Sequence, residues 1–216
     1  MRILIFGDST AQGYYDLEMG GWVNLLFIDN MKRKARRTDN PIEIFNVAVS
    51  GDTTRRIINR LQAEVTARKW QDEPIMLIFA IGVNDSMLDD GKPVSSPEHY
   101  RAELEELYAM AKPLAKYIMF VGLESVNETE SNPWRFNRGT HALSWLNDRV
   151  QLFDNTLKAF TEEKGAAYVP VFDFFRDRQT KGENLHEDGL HPNAAGHRLI
   201  FEQVRAVIHK RKEESA

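Results

Sequence analysis

The chain has 216 residues and no cysteine, which excludes disulfides, thiolate metal sites, iron–sulfur clusters and a cysteine nucleophile. With 28 basic and 32 acidic residues it carries a formal charge of −4, so a broad basic surface for nucleic acid is excluded. No run approaches the roughly 20 apolar residues of a membrane span, and at this length one core suffices for a single domain over residues 1–216.

The first apolar run, Ile3-Leu4-Ile5-Phe6, follows one arginine and ends at Gly7-Asp8. It is shorter than the roughly 7–15 apolar residues of a secretory leader, so it predicts a first β-strand and a cytoplasmic protein. Residues 20–37 have helical apolar spacing, and their end carries the basic run Lys32 to Arg37, a solvated helix terminus. Ile42 to Val47 reads as a second strand that stops at Ser50-Gly51, and Ile57, Ile58, Leu61 and Val65 mark the helix after it. Ile75 to Ile81 is apolar without interruption, the pattern of a central parallel strand buried on both faces. A helix over 97–112, a strand from Tyr117 to Leu123, a helix over 142–163, a strand from Ala167 to Phe172 and a helix over 194–210 complete the alternation. Such β-α alternation predicts a parallel sheet with helices on both faces. Residues 124–141 form one long irregular segment, a length at which loops are usually functional.

In an open α/β sheet, ligands bind beyond the carboxyl ends of the strands. Strands one, two and three end in Asp8-Ser9, Ser50-Gly51 and Gly82-Val83-Asn84-Asp85, all on one edge, and Asp188-Gly189-Leu190-His191-Pro192 precedes the last helix. These are parts for acyl transfer. A serine hydroxyl needs a base to take its proton, His191 titrates in the right range, and Asp188 can orient it. The Ser9 and Gly51 N–H groups and the Asn84 amide are candidate donors to the oxyanion of a tetrahedral intermediate. Taken singly these residues have plainer roles: Ser9 a helix cap, Gly51 a turn glycine, Asn84 and Asp188 turn residues. Their joint order at successive strand ends favours the site.

The same four blocks, Gly7-Asp8-Ser9, Gly51, Gly82-Val83-Asn84-Asp85 and Asp188 to His191, resemble those of the SGNH (GDSL) hydrolases, in the family's order and across nearly the whole chain. The resemblance implies a three-layer α/β/α sandwich around a flavodoxin-like five-stranded parallel sheet. It also implies ester or thioester hydrolysis with Ser9 as nucleophile, His191 and Asp188 as its partners, and an oxyanion hole from Ser9, Gly51 and Asn84. No cofactor or metal is implied. Thr10 stands where the family's name motif has leucine, a change given little weight because that position does not perform the chemistry. If Ser9 is the nucleophile, the first strand is not a cleaved leader.

Pocket shape must come from the loops at 11–20, 86–96 and 124–141, which hold Tyr14 and Tyr15. Asp8, Met87, Trp134 and Phe136 are candidates for the substrate pocket, and a small ester with a short acyl or O-acetyl group is the expected substrate. Two other readings compete. One is a fold that has lost activity and binds carbohydrate. The other is a metal-dependent phosphoesterase using Asp8, Asn84, His186 and His191. His186 reads as a loop histidine, and His197 as a surface or packing residue.

Overall fold

In the computed structural model, which describes residues 1–36, 42–134 and 141–214 with side chains to residue 208, the apolar runs of the sequence become the middle of a parallel sheet. In chain order the elements are β1 (Arg2–Gly7), α1 (Ser9–Gln12), α2 (Trp22–Arg36), β2 (Glu43–Asn46), α3 (Thr54–Arg68) and β3 (Ile75–Ala80). Then follow β4 (Leu88–Asp89), β5 (Lys92–Pro93), α4 (Pro97–Ala111), β6 (Tyr117–Val121), α5 (Glu128–Ser131) and β7 (Leu143–Ser144). The last are α6 (Asn147–Lys164), β8 (Ala167–Val169), α7 (Phe172–Thr180) and α8 (Ala194–Glu214). The main sheet has five strands in the order β2-β1-β3-β6-β8, all parallel, as expected of a flavodoxin-like sandwich.

Side chains alternate across a strand, and β1 uses both faces. Leu4 and Phe6 join a cluster with Ile57 and Leu61 of α3, Leu104 of α4 and Phe153 of α6. Ile3 and Ile5 join the opposite cluster with Trp22 and Leu26 of α2 and Leu199 and Val204 of α8. β1 and β3 lie side by side in register from Arg2–Ile75 to Gly7–Ala80, and the strand order reverses between them. That reversal is where such sheets open a crevice for ligands. Gly7, the last residue of β1, has no room for a side chain: a Cβ there would lie 2.5 Å from the Ala11 methyl and 2.7 Å from the Ala80 carbonyl oxygen. α1 therefore packs tightly over the end of β1, beside Ala80.

The helix expected over 142–163 begins at Asn147, because Leu143 and Ser144 instead pair antiparallel with β4, which also pairs with β5 in a small three-stranded sheet. The strand expected to reach Phe172 stops at Val169, and Phe172 and Phe175 are buried on α7, a helix the sequence reading did not separate from the strand. The basic end of α2 pairs with the protein's own carboxylates, Arg33 with Asp29 and Lys34 with Glu43, as a solvated terminus would. Among the described residues no helix is long and apolar enough to cross a membrane.

Phe79 of β3 is fully buried, with its ring centroid 5.5 Å from that of Phe6 and 5.3 Å from that of Phe120. Phe79→Ala is expected to lower the unfolding free energy by about 3–5 kcal/mol in chemical denaturation.

Candidate active site

Ser9 is the first residue of α1, and the chain enters that short helix through Asp8, whose carboxylate accepts a hydrogen bond from the Thr10 N–H at 3.0 Å. This cap fixes the turn that lifts the Ser9 side chain off the sheet edge. His191 reaches the same point from 182 residues away, with its Nε2 2.8 Å from Ser9 Oγ. Its Nδ1 lies 2.7 Å from Asp188 Oδ2, while Asp188 Oδ1 accepts from the Leu190 and His191 N–H groups at 3.0 and 2.7 Å. Burial alone would raise the Asp188 carboxyl, but its hydrogen bonds and the His191 ring hold it below the usual carboxylate range. An ionised Asp188 can only accept, so Nδ1 carries the imidazole proton and Nε2 presents its lone pair to the Ser9 hydroxyl.

The turn that carries both residues is held from three sides. Gly189 has φ +86° and packs its α-carbon against Glu130 and Ser131, and its carbonyl accepts from the Asn127 N–H at 2.8 Å. His186 and Pro192 form an antiparallel bridge at its base. His186 is buried, and its Nδ1 lies 3.3 Å from the Gln179 amide nitrogen, whose partner oxygen accepts from Ser125 Oγ at 2.6 Å. Burial pushes the His186 imidazole down to about 4, so it is neutral beside His191 at neutral pH. It lies in the loop between α7 and α8, as expected, but buried there as a clamp.

Asn84 is buried beyond β3, and its Nδ2 donates to the Asp52 carbonyl at 3.0 Å, which leaves its second amide hydrogen available. The surrounding backbone is pinned: Tyr100 Oη donates to Ile81 O at 3.0 Å, and Trp145 Nε1 and Ser86 Oγ both donate to Val83 O. Asp85 accepts from the Thr54 N–H at the start of α3, and burial pushes its carboxyl up to about 7. Gly51 has φ +78° and open space where a Cβ would stand, so the backbone conformation, and not crowding by the protein, calls for glycine.

Three aromatic rings surround His191: Tyr14 stacks on it at 5.6 Å, Tyr15 lies tilted at 5.2 Å, and Trp134 meets it edge-on at 5.9 Å. Trp134 also packs perpendicular to Trp145, so the same ring anchors its loop and borders His191. Tyr14 is tied to α8, its carbonyl 2.9 Å from Nε2 of the fully buried His197. Of the other pocket candidates, Met87 is partly buried and packs against the core cluster, and Asp8 is 2% exposed at the foot of the Ser9 turn. Phe136 lies outside the described residues. The set Asp8, Asn84, His186 and His191 does not converge as metal ligands would. Asp8 caps α1, Asn84 binds Asp52, His186 faces Gln179, and His191 bridges Ser9 and Asp188. Sequence reasoning passed over Glu124, which follows β6 and whose Oε1 accepts from Thr10 Oγ1 at 2.7 Å. Its only signal was its place at the end of a strand.

Residues 5–199 match the model of the GDSL-like lipase/acylhydrolase family. Among curated proteins the chain is 23% identical to the isoamyl acetate-hydrolyzing esterase 1 homolog of Mus musculus, over 97% of this chain and 82% of that one. It is 25% identical to the acetylxylan esterase of Geobacillus stearothermophilus, over 74% of this chain and 68% of that one. Among solved structures, an α/β hydrolase enzyme from the metagenome of Lake Arreo superposes with a TM-score of 0.71 at 25% identity, over 95% of this chain and 93% of the other. The acetylxylan esterase structure superposes with a TM-score of 0.70 at 22% identity, over 94% and 91%.

His186 makes stability depend on acid. The unfolded imidazole takes a proton near pH 6.5, while the folded one resists until about 4, so stability present above 6.5 is lost as the pH falls toward 4. The unfolding free energy is expected to drop by on the order of 3 kcal/mol across that window through this residue. His186→Gln should flatten the slope in denaturant titrations repeated from pH 7 to 4.

Proposed function

The chain belongs to the GDSL-like lipase/acylhydrolase family and is a carboxylic ester hydrolase, and from that premise we propose that it works through an acyl-enzyme on Ser9 and takes esters of short acyl groups, O-acetyl groups included. The observation that carries the reading is the continuous relay from Ser9 Oγ to His191 Nε2, 2.8 Å, and from His191 Nδ1 to Asp188, 2.7 Å, within one catalytic domain.

Ser9 Oγ attacks the ester carbonyl carbon as its proton passes to His191 Nε2. Asp188, kept ionised, stabilises the imidazolium that results. The carbonyl oxygen becomes an oxyanion and takes hydrogen bonds from the Ser9 N–H, which as the first of a helix has no intrahelical acceptor, from the Gly51 N–H and from the second Asn84 amide hydrogen. The tetrahedral intermediate collapses, the C–O bond to the alcohol breaks, and His191 gives its proton to the leaving oxygen. Water then attacks the Ser9 ester with His191 again as base, releasing the acid and restoring the serine.

Short acyl groups are favoured on two grounds. Both curated relatives are named for acetyl esters. Tyr14, Tyr15 and Trp134 crowd the base, leaving an aromatic border suited to a small acyl group on one side and to the face of an alcohol or sugar on the other. Thioesters fall within the same chemistry.

Ser9→Ala is expected to lower kcat on p-nitrophenyl acetate by about 10³-fold or more and to abolish labelling by an organophosphonate. Full turnover by that variant would sink the reading. Asn84→Ala should cost about 10²–10³-fold in kcat with little change in KM, as loss of one oxyanion donor does.

A further inference from the structure

Glu124 lies next to the nucleophile turn, yet the acyl-transfer steps above make no use of it. It is 5% exposed, and its hydrogen bond from Thr10 Oγ1 joins it to the helix that carries Ser9. The Thr10 N–H, in turn, donates to Asp8. Asp8, Thr10 and Glu124 thus bracket Ser9, and all three line one cavity of about 10 Å³, room for a single water at most. The charged groups whose fields act on Glu124 are Asp8 from the end of β1, His191 from the turn before α8 and Asp154 from α6, with Asp85 acting on Asp8 from beyond β3.

We propose that Glu124, held by the Thr10 hydroxyl, is a positioning residue for this reaction: it fixes the Ser9 turn and presents to the His191 imidazolium a second carboxylate besides Asp188. Two carboxyls buried this near each other compete for one proton. Burial, then Glu124, holds Asp8 well above the usual carboxylate range. Burial raises Glu124 as well, but the Thr10 hydroxyl and His191 pull it back. Of the two, Glu124 is the one whose hydrogen bond from Thr10 and positive neighbour favour the charged form. Thr10 sits where the family's name motif has leucine, a side chain that could not hold this carboxylate. The threonine and the buried glutamate form one matched pair.

The inference rests on the Ser9–His191 reading, and its test separates the two. Glu124→Gln keeps an acceptor for Thr10 but removes the charge facing His191. A negative neighbour favours the protonated form of a general base, so its loss moves the acid limb of the rate profile down. The acid limb of kcat/KM should move down by about half a pH unit or more, with kcat about 5- to 20-fold lower and KM within about twofold. Thr10→Val should shift the limb in the same direction, and Thr10→Ser should restore the original profile. Thermal melting of each variant identifies any that fails to fold. An unshifted limb in folded Glu124→Gln, with Ser9→Ala inactive, overturns this inference alone. An active Ser9→Ala overturns the site reading and this inference with it.

Discussion

Parallel strands leave every carboxyl end on one edge of the sheet, and the rest of this molecule follows from that constraint. Each strand exit delivers a different polar group to the edge: Asp8 and Ser9 after β1, Asn84 and Asp85 after β3, Glu124 after β6. The strands themselves are apolar on both faces, so these groups emerge directly from a dry core. Their carboxyls consequently sit where water cannot screen them, and Asp8, Asp85 and Glu124 are all pushed toward the neutral form, chiefly by burial. Asp188 escapes because its hydrogen bonds outweigh its burial. The proposed relay needs Asp188 ionised against His191, and local hydrogen bonding, more than depth, decides which carboxyls keep their charge.

Much of this was legible in the sequence because the relevant signals are local. Unbroken apolar runs located β1 and β3, and Gly7-Asp8-Ser9, Gly82 to Asp85 and Asp188 to His191 each carry their own turn chemistry. What was not legible depends on partners distant in the chain. Leu143 and Ser144 have helical spacing with the residues after them, yet join β4 because that hairpin offers an open edge. Phe172 reads as the end of a strand until the core supplies a helix face for it and for Phe175. Glu124 looked like the start of an irregular loop, and Thr10 like a harmless departure. Their meaning is a contact between residues 114 positions apart. His186 and His197 have no motif at all, since a clamp needs only a buried ring with a hydrogen-bond partner.

The aromatic border of His191 combines rigidity with access. Tyr14 and Tyr15 remain 40% and 38% exposed while their rings press on His191. Tyr14 is fixed through its backbone, by His197 of α8, and not through its ring. The loop between α1 and α2 is further held by Asp16, which accepts from three backbone N–H groups of residues 18–21. The ring faces can therefore meet substrate without the loop having to order itself first.

The bond between Ser9 and His191 spans 182 residues, and Tyr14 is tied to His197 over a comparable stretch. The first strand leaves the ribosome long before its partners exist. β1 cannot be flanked on its inner side until β3 has followed, and Ser9 meets no base until the last turn has docked. Under the proposed relay, the chain holds no serine–histidine pair until the turn that precedes α8 has been made.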